Sequence, residues 1–240
     1  AKHLDTNIAV EWSSKKLELV DYRNVENCYF VRTSADEKRI EEVFGEVSYV
    51  TAEGVSGETG FVTARMSEAD YEKKAAELGL RCVMLSEYQQ AEAKEAGLVD
   101  AAMALCAERM AEPFRAPIVL LSSGENVVTV GAESGVGGRN QEYCTAAALT
   151  IAGSRKIVFG AVDTDGTDGP GGFRYPGAPD CLAGAITDGE TAQAAKQAGI
   201  DLEDALRTHG TSEPLWRLGC GVAAAANVSA LDLRVILIQE

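Results

Sequence analysis

Residues 131–170 place a glycine-rich turn and an aspartate-rich loop on either side of one helix and one strand. The turn, residues 135–138, leads into a compact alanine-rich segment, and a short apolar strand is predicted at residues 156–162. The loop that follows, residues 163–170, carries three aspartates among glycines. Open α/β sheets place their ligands at the carboxyl ends of their strands. This stretch therefore predicts an α/β fold with a site where this strand ends.

The glycine-rich turn suits an anion, because glycines ahead of a helix leave backbone N–H groups free and Arg139 adds a two-pronged donor. It is not a dinucleotide fingerprint, since Asn140 stands at the third glycine position, and no Lys-Ser/Thr completes a Walker A loop. The alternative is a tight turn whose glycines serve only backbone geometry. A cation at a helix start is unfavourable. We therefore expect Arg139 to have an anionic partner, either a protein carboxylate such as Asp165 or a ligand.

The aspartate loop contains Asp163, Asp165 and Asp168. It is not an EF-hand loop, because the sixth and twelfth positions counted from Asp163 hold Asp168 and Arg174 instead of Gly and Glu. Carboxylates beside glycines suit a Mg²⁺-phosphate arrangement or a general base for a hydroxyl group. The alternative is an Asx turn, in which an aspartate bonds its own backbone. We predict that Asp168 forms that turn and that Asp165 carries the chemistry.

We predict that the chain divides into a small amino-terminal module, residues 1–88, and a larger domain, residues 89–240. In the module, strands are predicted at residues 25–33, 46–52, 60–66 and 80–86, with helices at residues 35–44 and 67–78. The order βαββαβ is that of a ferredoxin-like module. The alternative is an α/β layer continuous with the larger domain.

The larger domain is predicted to be α/β with a mixed or parallel sheet. Helices are predicted at residues 89–110, 188–197 and 201–207, and strands at residues 118–122, 127–130 and 231–238. The strand at residues 118–122 is almost uninterruptedly apolar, as in a sheet covered on both faces. Residues 171–179, rich in Gly, Pro and aromatic residues, are predicted to be a lid without regular structure.

The charge of the chain limits its partners. With 37 acidic and 22 basic residues, the net charge is −15, which argues against a nucleic-acid surface or an anionic membrane as partner. An anionic substrate must therefore meet a local cationic cluster. No apolar segment reaches the length of a membrane span, and the six cysteines lack a C-x-x-C pair. We expect a soluble, cytoplasmic protein with buried thiols.

Two further polar positions have less specific surroundings. Glu125 and Asn126, in the turn after the strand at residues 118–122, either point into the same cleft or belong to a surface turn. His209 follows a short predicted helix, so we expect it to belong to the helix C-terminus and not to act as a catalyst.

Four short blocks together suggest a family. They are SSGE at residues 122–125, GGRNQE at residues 137–142, TDGTDGP at residues 164–170, and Asn227 with DLRV at residues 232–235. In this combination the region from about residue 80 to residue 240 resembles the carboxy-terminal MOFRL domain of class II glycerate kinases, which are also known as glycerate 2-kinases or hydroxypyruvate reductases.

The resemblance implies an α/β domain that forms one wall of a cleft holding ATP, Mg²⁺ and D-glycerate. By this analogy Arg139 would contact the substrate carboxylate or phosphate, and Asp165 would lie near the reacting hydroxyl or the metal. The candidate substrate-binding residues are Gly137, Gly138, Asn140, Gln141 and Glu125, and the candidate metal ligands are Asp165 and Asp168.

The chain also departs from the family. Residues 1–75 show no counterpart of the large amino-terminal domain, which contributes a lysine and much of the nucleotide site. The late Gly/Thr-rich loop of the family appears at residues 221–227 without its hydroxyls, and residues 171–178 are an insertion. A separate chain carrying the amino-terminal domain, or a homo-oligomer, would then be needed.

Three functions are consistent with these sequence features. The first is phosphoryl transfer from ATP to a small hydroxy acid such as D-glycerate. The second is a non-kinase protein that binds a small carboxylate through a degenerate MOFRL domain. The third is a hydroxypyruvate reductase, which the absent dinucleotide fingerprint disfavours.

Overall fold

The computed structural model describes residues 75–132, 134–224 and 231–240, together with the backbone of six short strands nearer the amino terminus. Contacts between Cα atoms divide the chain into two units, one of residues 1–71 with 228–230 and one of residues 72–227 with 231–240. Among the described residues, none of the helices combines the length and the apolar character that a membrane span requires.

The first unit contains short antiparallel strands. They are β1 (Lys2–His3), β2 (Ile8–Ser13), β3 (Lys16–Asp21), β4 (Cys28–Phe30), β5 (Val47–Val50) and β6 (Phe61–Ala64). Four of them form a sheet in the order β1-β4-β6-β5, while β2 and β3 form a separate pair. The strands predicted at residues 25–33, 46–52 and 60–66 correspond to β4, β5 and β6. The helix predicted at residues 35–44, and most of the one at residues 67–78, lie outside the described residues.

The structure does not show a separate ferredoxin-like module. The strand predicted to complete it is β7 (Arg81–Ser86), which pairs in parallel with β8 (Ile118–Gly124) in the sheet of the second unit. A long helix separates β7 from β8, and such a crossover is what allows consecutive strands to run parallel. β7 therefore joins the sheet that follows it in the chain.

The second unit is built on a six-stranded mixed sheet, which confirms the predicted α/β class. Its other strands are β9 (Ile157–Asp163), β10 (Gly184–Asp188), β11 (Gly221–Val222) and β12 (Asp232–Ile238), and the strand order is β11-β10-β9-β12-β8-β7. Only β7 and β8 pair in parallel. The closing strand of the chain, β12, lies between β8 and β9, so the last strand in sequence is an interior strand of the sheet.

Five helices accompany this sheet among the described residues. They are α1 (Ala93–Met110), α2 (Arg139–Thr150), α3 (Thr191–Gln197), α4 (Leu202–Arg207) and α5 (Ser212–Arg217). The helix predicted from residue 89 begins at Ala93, because Glu92 forms a bridge with Val127. That single bridge replaces the strand predicted at residues 127–130. The helix predicted from residue 188 begins at Thr191, because residue 188 ends β10, a strand that the sequence analysis missed together with α5.

Helices α1 and α2 pack closely, through small side chains. The buried residues of α1 are Ala93, Ala96, Gly97, Asp100, Ala101, Ala104 and Ala107. A Cβ atom at Gly97 would clash with the backbone carbonyl of Tyr143 in α2. The core beneath contains Tyr143, Phe159, Ile236 and Ile238, all almost fully buried. Small residues in α1 thus let α2 lie close, with its first turn at the edge of the sheet.

Replacement of Gly97 by alanine distinguishes packing from helix propensity. Propensity alone predicts that Gly97→Ala stabilises the helix by about 1 kcal/mol. We expect instead that it lowers the free energy of unfolding by about 1–3 kcal/mol, since α1 must move away from α2. Urea unfolding of the variant measures this change. Ala102→Gly, at an exposed position of α1, is the control that measures the effect of helix propensity on the free energy of unfolding without a change in packing. A Gly97→Ala chain that is more stable than the unaltered chain would contradict the close packing.

Candidate functional site

Strand register brings the candidate polar residues to one edge of the sheet. Asp232, the first residue of β12, lies opposite Asp163 on β9 and opposite Gly124 on β8. Both neighbours are the last residues of their strands, and β12 runs antiparallel to them. Arg139 begins α2. The end of β8, the end of β9 and the start of β12 therefore meet at the first turn of α2.

Arg139 is held between two buried carboxylates. Its Nε atom donates to Oδ2 and Oδ1 of Asp232 at 2.8 and 3.1 Å, and its Nη2 atom donates to Oδ2 of Asp163 at 2.6 Å. Glu125 Oε1 lies 3.5 Å from the same Nη2 atom. We call Arg139 with Asp163 and Asp232 the arginine clamp. The expectation that Arg139 has a carboxylate partner is confirmed, but the partners are Asp232, Asp163 and Glu125, and Asp165 is not among them.

The clamp explains how two carboxylates can face each other across neighbouring strands. Directly opposed like charges destabilise a sheet. The guanidinium group, which bonds both, offsets that repulsion. Burial, followed by the charge of Asp232, raises the pKa of Asp163 to about 7, against the lowering effects of the Asp165 N–H group and Arg139. Burial lowers the pKa of Arg139, but its hydrogen bond to Asp232 and the surrounding carboxylates more than offset this and keep it cationic.

Asp168 satisfies the first turn of α2 and does not form the predicted turn of its own loop. It is 1% exposed. Its Oδ1 accepts from the backbone N–H and the side-chain amide of Asn140, at 3.0 and 3.2 Å, and its Oδ2 accepts from those of Gln141, at 2.9 and 3.1 Å. Free N–H groups and the positive end of the helix dipole favour a carboxylate there. The anion at this helix start is therefore a side chain of the protein itself.

Asp165 forms the Asx turn that was predicted for Asp168. Its Oδ1 accepts from the backbone N–H of Thr167 at 2.7 Å and from the Thr167 hydroxyl at 2.8 Å. Its own backbone N–H donates to Oδ1 of Asp163 at 3.1 Å. The carboxyl group of Asp165 is partly exposed, so it is the accessible aspartate of the loop. Asp163 connects it to the arginine clamp.

The glycines of the turn are required by close packing. A side chain at Gly137 would collide with Thr211 and with the carbonyl of His209, and one at Gly138 would collide with Asp168. The turn is also bonded to residues 208–212, with Gly135 N–H donating to the Thr208 carbonyl and Ser212 N–H to the Val136 carbonyl. These contacts support the tight-turn interpretation of the glycines.

The five candidate substrate-binding residues fall into two groups. Gly137, Gly138, Asn140 and Gln141 are buried. The Gln141 side chain bonds Asp168 on one side and accepts from the Ser212 hydroxyl, at 2.8 Å, on the other. The Glu125 side chain, in contrast, is 44% exposed beside Arg139. Glu125 is thus the member of this set that a ligand reaches most directly.

The described residues do not fit the predicted metal site. Within the ranges that the structure describes, no three His, Cys, Asp or Glu side chains gather as metal ligands would. Both oxygens of Asp168 already accept hydrogen bonds from Asn140 and Gln141. With the bonds from the two side-chain amides, each oxygen accepts two hydrogen bonds, which use the roughly four lone-pair positions that a carboxylate offers to a metal. Asp168 therefore has a structural role, and no catalytic step is assigned to a metal here.

Sequence reasoning missed Asp232 and Arg234 as site residues, although both lie in a block used for the family resemblance. They stand two residues apart in an otherwise apolar strand, on the same buried face as Ile236 and Ile238. Arg234 donates from Nη1 to Oδ2 of Asp232 at 3.3 Å. The sequence did contain a signal for them: two opposite charges at positions i and i+2 of an apolar strand lie on the same face, and buried charges are paired.

His209 lies just beyond the C-terminal end of α4, as expected for a residue that ends a helix, and has a positive φ of 57°. Its Nδ1 atom lies 2.8 Å from Oε1 of Glu142 in α2. Burial raises the pKa of Glu142, while the hydrogen bond from His209 lowers it. The pair fixes residues 208–212 against α2, which in turn holds the glycine turn in place.

The predicted lid contains no helix or strand, but packing and hydrogen bonds hold it in place. Phe173 is buried, stacks with Tyr175 at a centroid distance of 6.4 Å, and donates its N–H to the Asp180 carbonyl at 3.0 Å.

The open clefts around α3, of about 360 and 510 Å³, are lined by none of the candidate residues.

Comparison with known proteins agrees with the resemblance. The model of the MOFRL family matches residues 118–227. A glycerate 2-kinase of Pyrococcus horikoshii is 34% identical over 147 residues, which are 61% of this chain and 31% of that protein. A protein of Agrobacterium vitis named "Putative hydroxypyruvate reductase" is 32% identical over 199 residues, which are 82% of this chain and 41% of that protein.

A solved structure is also similar. The crystal structure of glycerate kinase from Thermotoga maritima has a TM-score of 0.65 and 28% sequence identity, and the match covers 86% of this chain and 50% of the kinase. The chain thus spans between 31% and 41% of the length of the two curated relatives and half of the solved chain.

Asp168 and Asp165 differ in their expected contribution to stability, although both lie in one loop. Asp168→Asn places an amide group where the N–H donors of Asn140 and Gln141 now meet two oxygens, and unsatisfied buried donors cost about 1–3 kcal/mol each. We expect the free energy of unfolding, measured in urea, to fall by about 2–4 kcal/mol. Asp165→Asn is the matched control and should change it by less than about 0.5 kcal/mol, because asparagine also forms Asx turns. Equal effects would contradict these assignments.

Proposed function

Because residues 118–227 form a MOFRL family domain, homologous to glycerate 2-kinases, we propose that this chain takes part in phosphoryl transfer from ATP to a small hydroxy acid, D-glycerate. The proposal concerns the whole reaction, whereas the homology covers part of each relative. The contribution of the described residues is to hold the acid.

The arginine clamp is the observation that carries this proposal. Asp232 and Asp163 fix Arg139 through Nε and Nη2, and no described residue accepts a hydrogen bond from its Nη1 atom. A rigid guanidinium group with one nitrogen free can donate to a carboxylate without first being ordered. The carboxylate of D-glycerate is the group we assign to Nη1.

Asp165 is the proposed general base for the reacting hydroxyl. Of its two oxygens, Oδ1 accepts from Thr167, which leaves Oδ2 to accept the hydroxyl proton. The Asp165 N–H group bonds the same Asp163 carboxylate that holds Arg139, so base and clamp are connected through one residue. In phosphoryl transfer the protein mainly positions groups and neutralises charge, and these residues can position the acid.

The nucleotide needs residues beyond this site. Near the first turn of α2 the two cations Arg139 and Arg234 are outnumbered by five carboxylates, those of Glu125, Asp163, Asp165, Asp168 and Asp232. Such a site cannot by itself neutralise a polyphosphate. We propose that ATP, with its Mg²⁺, is held largely by a region that corresponds to the part of the relatives that this chain does not span.

A second candidate function is favoured by one observation. Asp168 occupies the start of α2, the position where a helix would otherwise bind a phosphate. This arrangement suits a protein that binds a small carboxylate and transfers no phosphoryl group. Calorimetry separates the two functions, because binding of D-glycerate that is indifferent to ATP and Mg²⁺ supports the carboxylate-binding protein, whereas mutual dependence supports the kinase. A reductase would bind NADH, which the glycine turn does not favour.

ATP-dependent phosphorylation of D-glycerate tests the proposal, with the chain assayed alone and with a protein that supplies the part of the relatives that this chain does not span. We expect Arg139→Ala to lower kcat/KM by about 100-fold or more, since it removes the oriented cation. Asp165→Asn should lower kcat by about 100-fold, the usual contribution of a general base. Arg217→Ala, which removes an exposed arginine of a surface ion pair, is the control and should leave both constants unchanged. No phosphorylation in any pairing would exclude the kinase.

A further inference from the structure

Arg234 is the largest fully buried side chain among the described residues, with 0% exposure. A guanidinium group in the interior is unfavourable unless its charge is balanced and its N–H groups are bonded. The proposed reaction gives Arg234 no contact with a substrate. Its place in the core therefore needs another explanation.

The hydrogen bonds of Arg234 are long. Nη1 lies 3.3 Å from Asp232 Oδ2, Nε lies 3.3 Å from Ser122 Oγ, and Nη2 lies 3.5 Å from the carbonyl of Gln89. The guanidinium carbon lies 5.8 Å from the ring centre of Tyr143, whose hydroxyl donates to Asp100 at 2.8 Å. Such bonds contribute little to stability compared with a well-packed apolar side chain. Stability alone does not account for an arginine here.

One oxygen connects Arg234 to the arginine clamp. Asp232 Oδ2 accepts from Arg139 Nε at 2.8 Å and from Arg234 Nη1 at 3.3 Å. Asp232 Oδ1 accepts from Arg139 and, at 2.9 Å, from Asn140. The charge of Asp232 is therefore shared by two arginines. Without Arg234, Arg139 would be the one cation among the described residues that faces Asp163, Asp232 and Glu125, and an anionic ligand would meet a more negative site.

We propose that Arg234 is a positioning residue, whose buried charge offsets part of the negative charge around Arg139 and so makes the potential there less unfavourable for an anionic ligand. The inference rests on the proposed function, because it assumes that Arg139 binds the carboxylate of a small acid. It extends that function by assigning the affinity for the acid partly to a residue that the acid does not touch.

Calorimetric titration of the full chain with D-glycerate tests the inference. Arg234→Met keeps the volume and removes the charge, and we expect the Kd for D-glycerate to rise by at least about tenfold, because a buried charge is weakly screened. Arg234→Lys keeps the charge and should recover most of the lost affinity. Arg217→Met, which removes an exposed arginine paired with Glu213, is the matched control and should bind as the unaltered chain does. Circular dichroism and urea unfolding establish that each variant folds.

The outcomes show whether the charge or only the shape of the side chain at residue 234 affects the affinity for D-glycerate. Wild-type affinity in Arg234→Met would overturn the inference, and so would a folded Arg234→Lys that binds as weakly as the methionine variant. If Arg234→Met does not fold, Arg234→Gln, which can still bond Ser122 and Asp232, takes its place with the same expected loss. Failure of the unaltered chain to bind D-glycerate both with and without ATP and Mg²⁺ would refute the proposed function itself, and the inference with it. Binding by that chain with no effect at residue 234 would refute the inference alone.

Discussion

Two aspartates that face each other on neighbouring strands, Asp163 and Asp232, set the condition on which the rest of the site depends. Their opposition follows from the antiparallel register of β9 and β12, and it would be repulsive without a cation between them. Arg139 supplies that cation, which fixes where α2 begins. The small residues of α1, above all Gly97, let α1 pack closely against α2 at Tyr143, about one turn beyond Arg139.

The first turn of α2 is held from two directions by carboxylates distant in sequence. Asp232 bonds Arg139 and Asn140, while Asp168 bonds Asn140 and Gln141. Consecutive residues of the GGRNQE block thus each have a partner, and Glu142 meets His209. The tight glycine turn before them has no room for side chains. The block is therefore explained by packing and charge within the domain, and Arg139 is its member with a donor left over.

Local patterns in the sequence predicted the α/β class, the strand before the aspartate loop and the need of Arg139 for a carboxylate. They could not identify that carboxylate, because Asp232 lies 93 residues away and reaches Arg139 only through strand register. The Asx turn was predicted at Asp168 instead of Asp165 for a similar reason, since both residues suit a turn and only the tertiary position of α2 makes Asp168 its capping group. The sequence left two sheets open for β7 because strand pairing is not local, and the structure agrees with the alternative of a layer continuous with the larger domain. β10 was missed because it is short and follows an irregular segment.

The central claim is that the arginine clamp presents Arg139 to the carboxylate of a small acid. A crystal structure of the chain soaked with D-glycerate tests it most directly. The account predicts a carboxylate oxygen about 3 Å from Arg139 Nη1, with the bonds from Arg139 to Asp163 and Asp232 unchanged. An acid bound elsewhere in the chain, or an Arg139 that leaves Asp232 in order to bind it, would contradict the account.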